Sequence, residues 1–200
     1  MKKIFLFLAL TSNIIGFAQN NTKEKVYKNI ITLNITNLGM SNFQLSYERF
    51  LTNNFALHTS FGATFIDNTD KRKEGLNSEL YFKYYIFDSN LATRKYNLYF
   101  APYLMYKYAS VVLYNQSFLE DGGVAIYYDE NAVFNSLGVG FLMGHQFTLA
   151  KKLVIDIYLG GGIRRNISTN AKDFFFNDTP FQDGYNGIIG KAGIEIGFKF

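Results

Sequence analysis

The stretch Ile188-Ile189-Gly190-Lys191-Ala192-Gly193-Ile194-Glu195-Ile196-Gly197-Phe198-Lys199-Phe200 closes the sequence and alternates without a break. Ile188, Gly190, Ala192, Ile194, Ile196, Phe198 and Phe200 share one face. Ile189, Lys191, Gly193, Glu195, Gly197 and Lys199 share the other. A period of two marks a β-strand. An apolar face running to a terminal Phe carboxylate is a poor ending for a water-soluble protein, because it leaves greasy surface at an exposed end. It makes sense where that face meets lipid.

The other end supports the same reading. Lys2 and Lys3 form a basic start, Ile4 to Leu10 a short apolar run, and Gly16-Phe17-Ala18 offers small residues at positions a signal peptidase reads. Residues 1–18 are expected to be a signal peptide, with 19–200 the barrel domain. The apolar run is broken by Thr11, Ser12 and Asn13, so it falls short of the ~20 residues a spanning helix needs. There is no cysteine. A lipoprotein anchor, disulfides and thiol chemistry are therefore not expected. Removing the signal takes two lysines and no acids, lowering the net charge from +4 to +2. That surplus gives no argument for nucleic-acid binding.

Alternation over about ten residues, the length a tilted membrane strand needs, recurs along the chain. It predicts strands at 29–38, 42–50, 55–65, 76–87, from 97 onward, 134–147, 153–165 and 188–200. The fold class is all-β: a transmembrane up-and-down antiparallel barrel of eight strands. Pro102 falls inside the fifth strand and predicts a bulge there. The pattern also slips near Asn131, predicting another. Short gaps at 51–54 and 148–152 alternate with long ones at 66–75, 112–133 and 166–186, as periplasmic turns alternate with outer loops. A short outer connection at 39–41 and a long periplasmic one at 88–96 depart from that rule.

A soluble barrel with its apolar face inward is the rival. Volume decides against it. The apolar face carries too many Phe, Tyr and Leu to fit inside eight strands, whereas the Gly, Ala, Ser and Thr of the other face do fit. The polar face is therefore the lumen. It collects Glu48, Glu79, Asp156 and Glu195 with Lys83, Lys107, Arg164, Lys191 and Lys199, and His58 beside them. These charges are expected to pair and plug the lumen, because an isolated buried charge costs several kcal/mol; Glu79 and Lys83 are one expected pair. Phe50, Phe55, Phe87 and Phe147 are expected in an aromatic belt at the periplasmic boundary, and Phe65, Tyr108 and Phe134 at the outer one.

With the terminal aromatic Phe200, the eight alternating stretches and Tyr47-Glu48-Arg49 ending the second of them, the whole mature chain resembles small eight-stranded bacterial outer-membrane barrels of the OmpA/OmpX-like class. The Tyr-Glu-Arg ending is also similar to that of uncharacterised outer-membrane β-barrel families. The resemblance implies residence in the Gram-negative outer membrane among lipid and lipopolysaccharide. It also implies delivery by the barrel assembly machinery, with Phe200 as the assembly signal.

Chemistry is sparse. Two His, on different strands, and no Cys leave too few ligands for a transition metal, and no cofactor is expected. A Ser–His–acid set acting on lipid would need a histidine near the outer leaflet, and none of the long outer stretches has one. Asp173, Asp178 and Asp183 lack the spacing of a calcium loop and read as solvated loop charge. The outer stretches are instead aromatic. Residues 112–133 read as a hairpin rising above the membrane and include Tyr127 and Tyr128; residues 166–186 include Phe174, Phe175 and Phe176. The expected function is non-enzymatic: a monomeric barrel without a wide pore, giving structural support or contacting an unidentified surface partner through its loops. The alternatives are an OmpW-like, porin-like conduit for small apolar molecules, needing a lumen pocket around Tyr81, Tyr85, Tyr99, Tyr103 and Met105, or an accessory factor in outer-membrane assembly or secretion.

Overall fold

A computed structural model describes residues 27–69, 71–86, 96–117, 126–149, 152–169 and 183–200. Eight antiparallel strands form one closed barrel in chain order: β1 (Asn29–Asn34), β2 (Asn42–Phe50), β3 (Phe55–Asn68), β4 (Lys71–Tyr85), β5 (Tyr96–Ser117), β6 (Ile126–Leu149), β7 (Leu153–Thr169) and β8 (Gly187–Lys199). β1 closes on β8, with Ile30 opposite Lys199 and Asn34 opposite Glu195.

Following paired residues around the wall gives the stagger. Thr32 leads through Ser46, Ser60, Glu79, Met105, Gly138 and Arg164 to Gly187. Thr32 itself pairs with Gly197. The circuit thus returns ten residues up β8 from where it began, so the strands are strongly tilted, as closure of an eight-stranded sheet requires.

The side-chain distribution is inside-out relative to a water-soluble barrel. Phe61, Phe82, Phe141, Leu159, Ile163, Ile188, Phe198 and Phe200 are exposed on the outer wall. Glu48, Lys83, Asp156, Glu195 and His58 are buried within. A wall of this kind is stable against hydrocarbon and not against water.

Several expectations need correction. β1 stops at Asn34, not Leu38, because the Asn34 side chain accepts the Asn37 N–H at 2.9 Å and caps a five-residue helix, α1 (Ile35–Gly39). Thr36 then accepts the Ile194 N–H of β8 on its hydroxyl at 2.9 Å, standing in for the missing strand. The gap expected at 66–75 is a hairpin: β3 and β4 stay paired up to Asn68 opposite Lys71. Beyond the apolar band no lipid imposes alternation, so Lys71-Arg72-Lys73-Glu74 is strand by backbone pairing alone. The hairpin expected at 112–133 is present, paired up to Ser117 opposite Ile126.

Pro102 makes no bulge. Its pairing with Phe141 of β6 is intact, and on the β4 side the ladder lapses between Tyr81–Tyr103 and Tyr84–Phe100 without changing register. The slip expected near Asn131 is absent; the register shift lies at Asn135/Ser136 against β7. Phe134 points inward and packs with Val111 and Ala132 instead of joining the outer belt. Phe50 likewise leaves the periplasmic belt and packs inside on Tyr85, ring centroids 5.2 Å apart. Phe55 and Phe65 do face outward.

Candidate functional site: the lumen ion network

The lumen side chains form three tiers along the barrel axis. The tier nearest the termini centres on Lys83, whose ammonium lies 2.6 Å from both Glu48 and Asp156. Tyr85 donates to Glu48 at 2.6 Å and Tyr99 to Asp156 at 2.8 Å. His58 stands between two further contacts, with Nδ1 3.3 Å from Glu48 and Nε2 3.9 Å from Glu195. Glu195 also accepts from the hydroxyls of Thr32 and Ser46. Every carboxylate therefore has several donors, the condition for burying it without prohibitive cost.

In the middle tier, Glu79 is held by Lys191, Tyr81, Gln44 and Ser60. The expected Glu79–Lys83 pair does not form. Four residues along one strand put the two side chains ~13 Å apart, and each finds its partners across the lumen.

The third tier sits at the loop end. Asp183, expected as solvated loop charge, is buried between Lys73 and Lys107, each 2.7 Å from one carboxylate oxygen. Arg164 donates through Nε to the Tyr185 carbonyl at 3.2 Å beside them. Burial alone would raise the Asp183 pKa, but the two lysines outweigh it and hold the carboxyl at about 2.

The ten residues expected inside all line the lumen, nine of them in three separate groups, with Lys199 buried as well. Sequence reasoning missed Lys73, placed in a supposed loop, and Asp183. It also missed the tyrosine hydroxyls that complete the first tier. Strand phase alone does not point to them, because Tyr85 lies two strands from Glu48 and Tyr99 two strands from Asp156.

Aromatic rings fill what the charges leave, and the glycines make room. Tyr99 is directly opposite Gly144, Tyr103 opposite Gly140, Met105 opposite Gly138, and Tyr158 opposite Gly193. A Cβ on any of these glycines would run into the side chain facing it. Between His58, Tyr81, Lys83 and Tyr99 the remaining space is about 10 Å³, room for a single water at most. Tyr81, Tyr85, Tyr99, Tyr103 and Met105 are buried in one packed cluster.

Among the described residues, no three His, Asp or Glu are grouped to hold a metal. Tyr127 and Tyr128 lie on the paired part of β6, opposite Gln116 and Asn115. Phe174, Phe175 and Phe176, with Phe87, Asp173, Asp178 and the 1–18 segment, lie outside the described residues. Phe200 is exposed on the outer wall, and its backbone pairs with Asn29.

No family model matches the chain, and no curated protein matches it. Solved structures similar in outline include two bacterial proteins. One is the N-terminal β-barrel domain of Pseudomonas aeruginosa OprF, at 14% identity and a TM-score of 0.42, covering 89% of this chain and 100% of that one. The other is Ail, the attachment invasion locus protein of Yersinia pestis, at 10% identity and a TM-score of 0.42, covering 88% of this chain and 100% of that one. The barrel assignment rests on the strand pairing and the inside-out wall of this chain itself.

Proposed function

We propose that the protein is a non-enzymatic, non-conducting barrel of the bacterial outer membrane that anchors surface-exposed loops. The observation carrying this reading is the combination of an apolar outer wall with a lumen whose described side chains pack as ion pairs and rings through its terminal and middle tiers. An apolar exterior suits a bilayer, and a barrel without a bore offers no route for solute. What is left to meet other molecules is the strand extension above the membrane, led by the β5–β6 hairpin. The start of β1 and the end of β8 lie together at one end of the barrel, at the Asn29–Phe200 backbone pair, and with that end in the periplasm the hairpin faces outward. Phe200 in this reading is the assembly signal, and deleting it should lower the amount of heat-modifiable, membrane-integrated protein.

The test has two parts. Cell fractionation should recover the protein with outer membranes, and planar-bilayer recordings should show no porin-sized conductance. Recovery in the soluble periplasm would overturn the location, and sustained large currents would overturn the closed lumen. For the contact role, replacing Phe174-Phe175-Phe176 by serines should leave the heat-modifiable band intact while reducing attachment of intact cells to a surface ligand. Unchanged attachment to every ligand that wild type binds would remove that loop from the contact site.

A further inference from the structure

Among the described residues, the loop-end tier gathers more positive than negative charge. Two ammonium groups, Lys73 and Lys107, each hold one oxygen of a single carboxylate at 2.7 Å. One negative charge thus faces two positive ones. The three groups are not equally covered: Asp183 has 5% of its side chain exposed, Lys73 14% and Lys107 27%. The carboxylate is therefore the deeper partner, and the open side of the lysine pair looks towards the mouth. Lys71 stands two residues beyond Lys73 on the same half-buried inward row of β4. Burial lowers the pKa of Lys71 and repulsion from Lys73 lowers it further, with Asp183 offsetting only part of this. Crowded ammonium groups at a partly covered mouth call for a counter-anion.

We propose that the loop-end mouth binds a phosphate-class dianion between Lys73 and Lys107, with Lys71 above it and Asp183 beneath as a positioning residue. Asp183 fixes the two ammonium groups from the lumen side so that both present N–H donors to one point. A doubly charged phosphate balances that point better than a singly charged anion, and its several oxygens can accept from more than one lysine at once. The chemistry is shared by free phosphate and by the phosphomonoester of an outer-leaflet glycolipid. Lys73 and Lys107 keep 14% and 27% of their side chains exposed, so an anion from water or from a headgroup can reach them.

Calorimetric titration of the full folded protein with inorganic phosphate tests this. One arm uses lipid-free detergent micelles; the other uses nanodiscs carrying a phosphomonoester lipid. Saturable binding in micelles is expected, and Lys71→Met should weaken it about threefold. The charge-balanced pair Lys107→Met with Asp183→Asn should weaken it at least tenfold, although it leaves the net charge of the mouth unchanged. Loss of phosphate binding only in the phospholipid-loaded discs would identify the headgroup as the occupant of the same site. Absence of saturable binding in micelles, or equal affinity in the charge-balanced variant, would overturn the proposal, the latter by reducing the effect to general attraction. Heat-modifiability of each variant checks that the barrel has folded.

Discussion

The two ends of the lumen solve the same problem with opposite stoichiometry. Around Lys83, three carboxylates gather on one ammonium and one imidazole, and tyrosine, threonine and serine hydroxyls supply further donors. Around Asp183, one carboxylate holds two ammonium groups, and no ring closes over them among the described residues. The first arrangement is sealed. Every charge in it is nearly inaccessible, so its energy depends on internal partners alone. The second is partly open, and water or a solute can share the work. The difference teaches where to look for plug and where for contact: burial with complete pairing is structural, and charge excess at an opening is available.

The largest expected effect breaks the sealed end. Lys83→Met leaves Glu48 and Asp156 facing each other without their common cation. Removal of one partner from a buried charge cluster costs about 3–5 kcal/mol. Urea unfolding in detergent should show that loss. Adding Glu48→Gln and Asp156→Asn to the same chain should recover most of it, because the stranded charges are then gone. Equal instability of the single and triple variants would mean that Lys83 acts through packing and not through charge.

Next comes the seat of Tyr99. Gly144→Ala places a methyl where the Tyr99 ring lies, and that ring is tied to Asp156 by its hydroxyl. Overpacking of this kind costs about 2 kcal/mol. Tyr99→Leu in the same chain should relieve the crowding, which thermal unfolding would detect as a partial rescue.

The open end gives a pH signature instead. Folding lowers the Asp183 pKa from 3.8 to about 2, so the folded state binds this proton less readily than the unfolded chain. The stabilisation is present above about pH 4 and is lost as the pH falls towards 2. It amounts to roughly 2 kcal/mol. Asp183→Asn should flatten the stability profile in that window and leave it unchanged near neutrality in shape. A wild-type profile already flat between pH 4 and 2 would contradict the burial of this ion pair.

The smallest effect belongs to a pair that looks equally good on distance. Arg72 and Glu74 lie 2.5 Å apart, yet about half of each side chain is exposed. Solvent-exposed pairs of this kind contribute about 0.2–1 kcal/mol. Arg72→Ala should shift the unfolding midpoint little, and a loss approaching that of Lys83→Met would undo the contrast between covered and open charges.

The barrel was legible wherever lipid imposes alternation. β2, β7 and β8 fall within a few residues of their expected positions, because one face must be apolar and the other must fit the lumen. Legibility ended where that constraint ends. Lys71 to Gly75 carries no apolar face and was missed as strand, and Phe134 and Phe50 were misplaced because an aromatic near a strand end fits either a belt or a lumen plug. Candidate lumen residues were readable from strand phase alone. Their partners were not, since the ten-residue stagger decides who meets whom across the barrel, and no single strand records it.

The early end of β1 has a further consequence for how the barrel comes apart. β1 holds five paired residues on the β8 side and five on the β2 side, whereas β5 and β6 share twenty-two. Pulled or heated, the wall should unzip first along this narrow plank, leaving β2 and β8 as facing edges of a seven-stranded curl. Inside hydrocarbon those edges find no water to take over their hydrogen bonds. The short first strand is therefore both the weakest seam and the gatekeeper of the unfolding rate, and lengthening it through α1 should slow unfolding more than it deepens equilibrium stability.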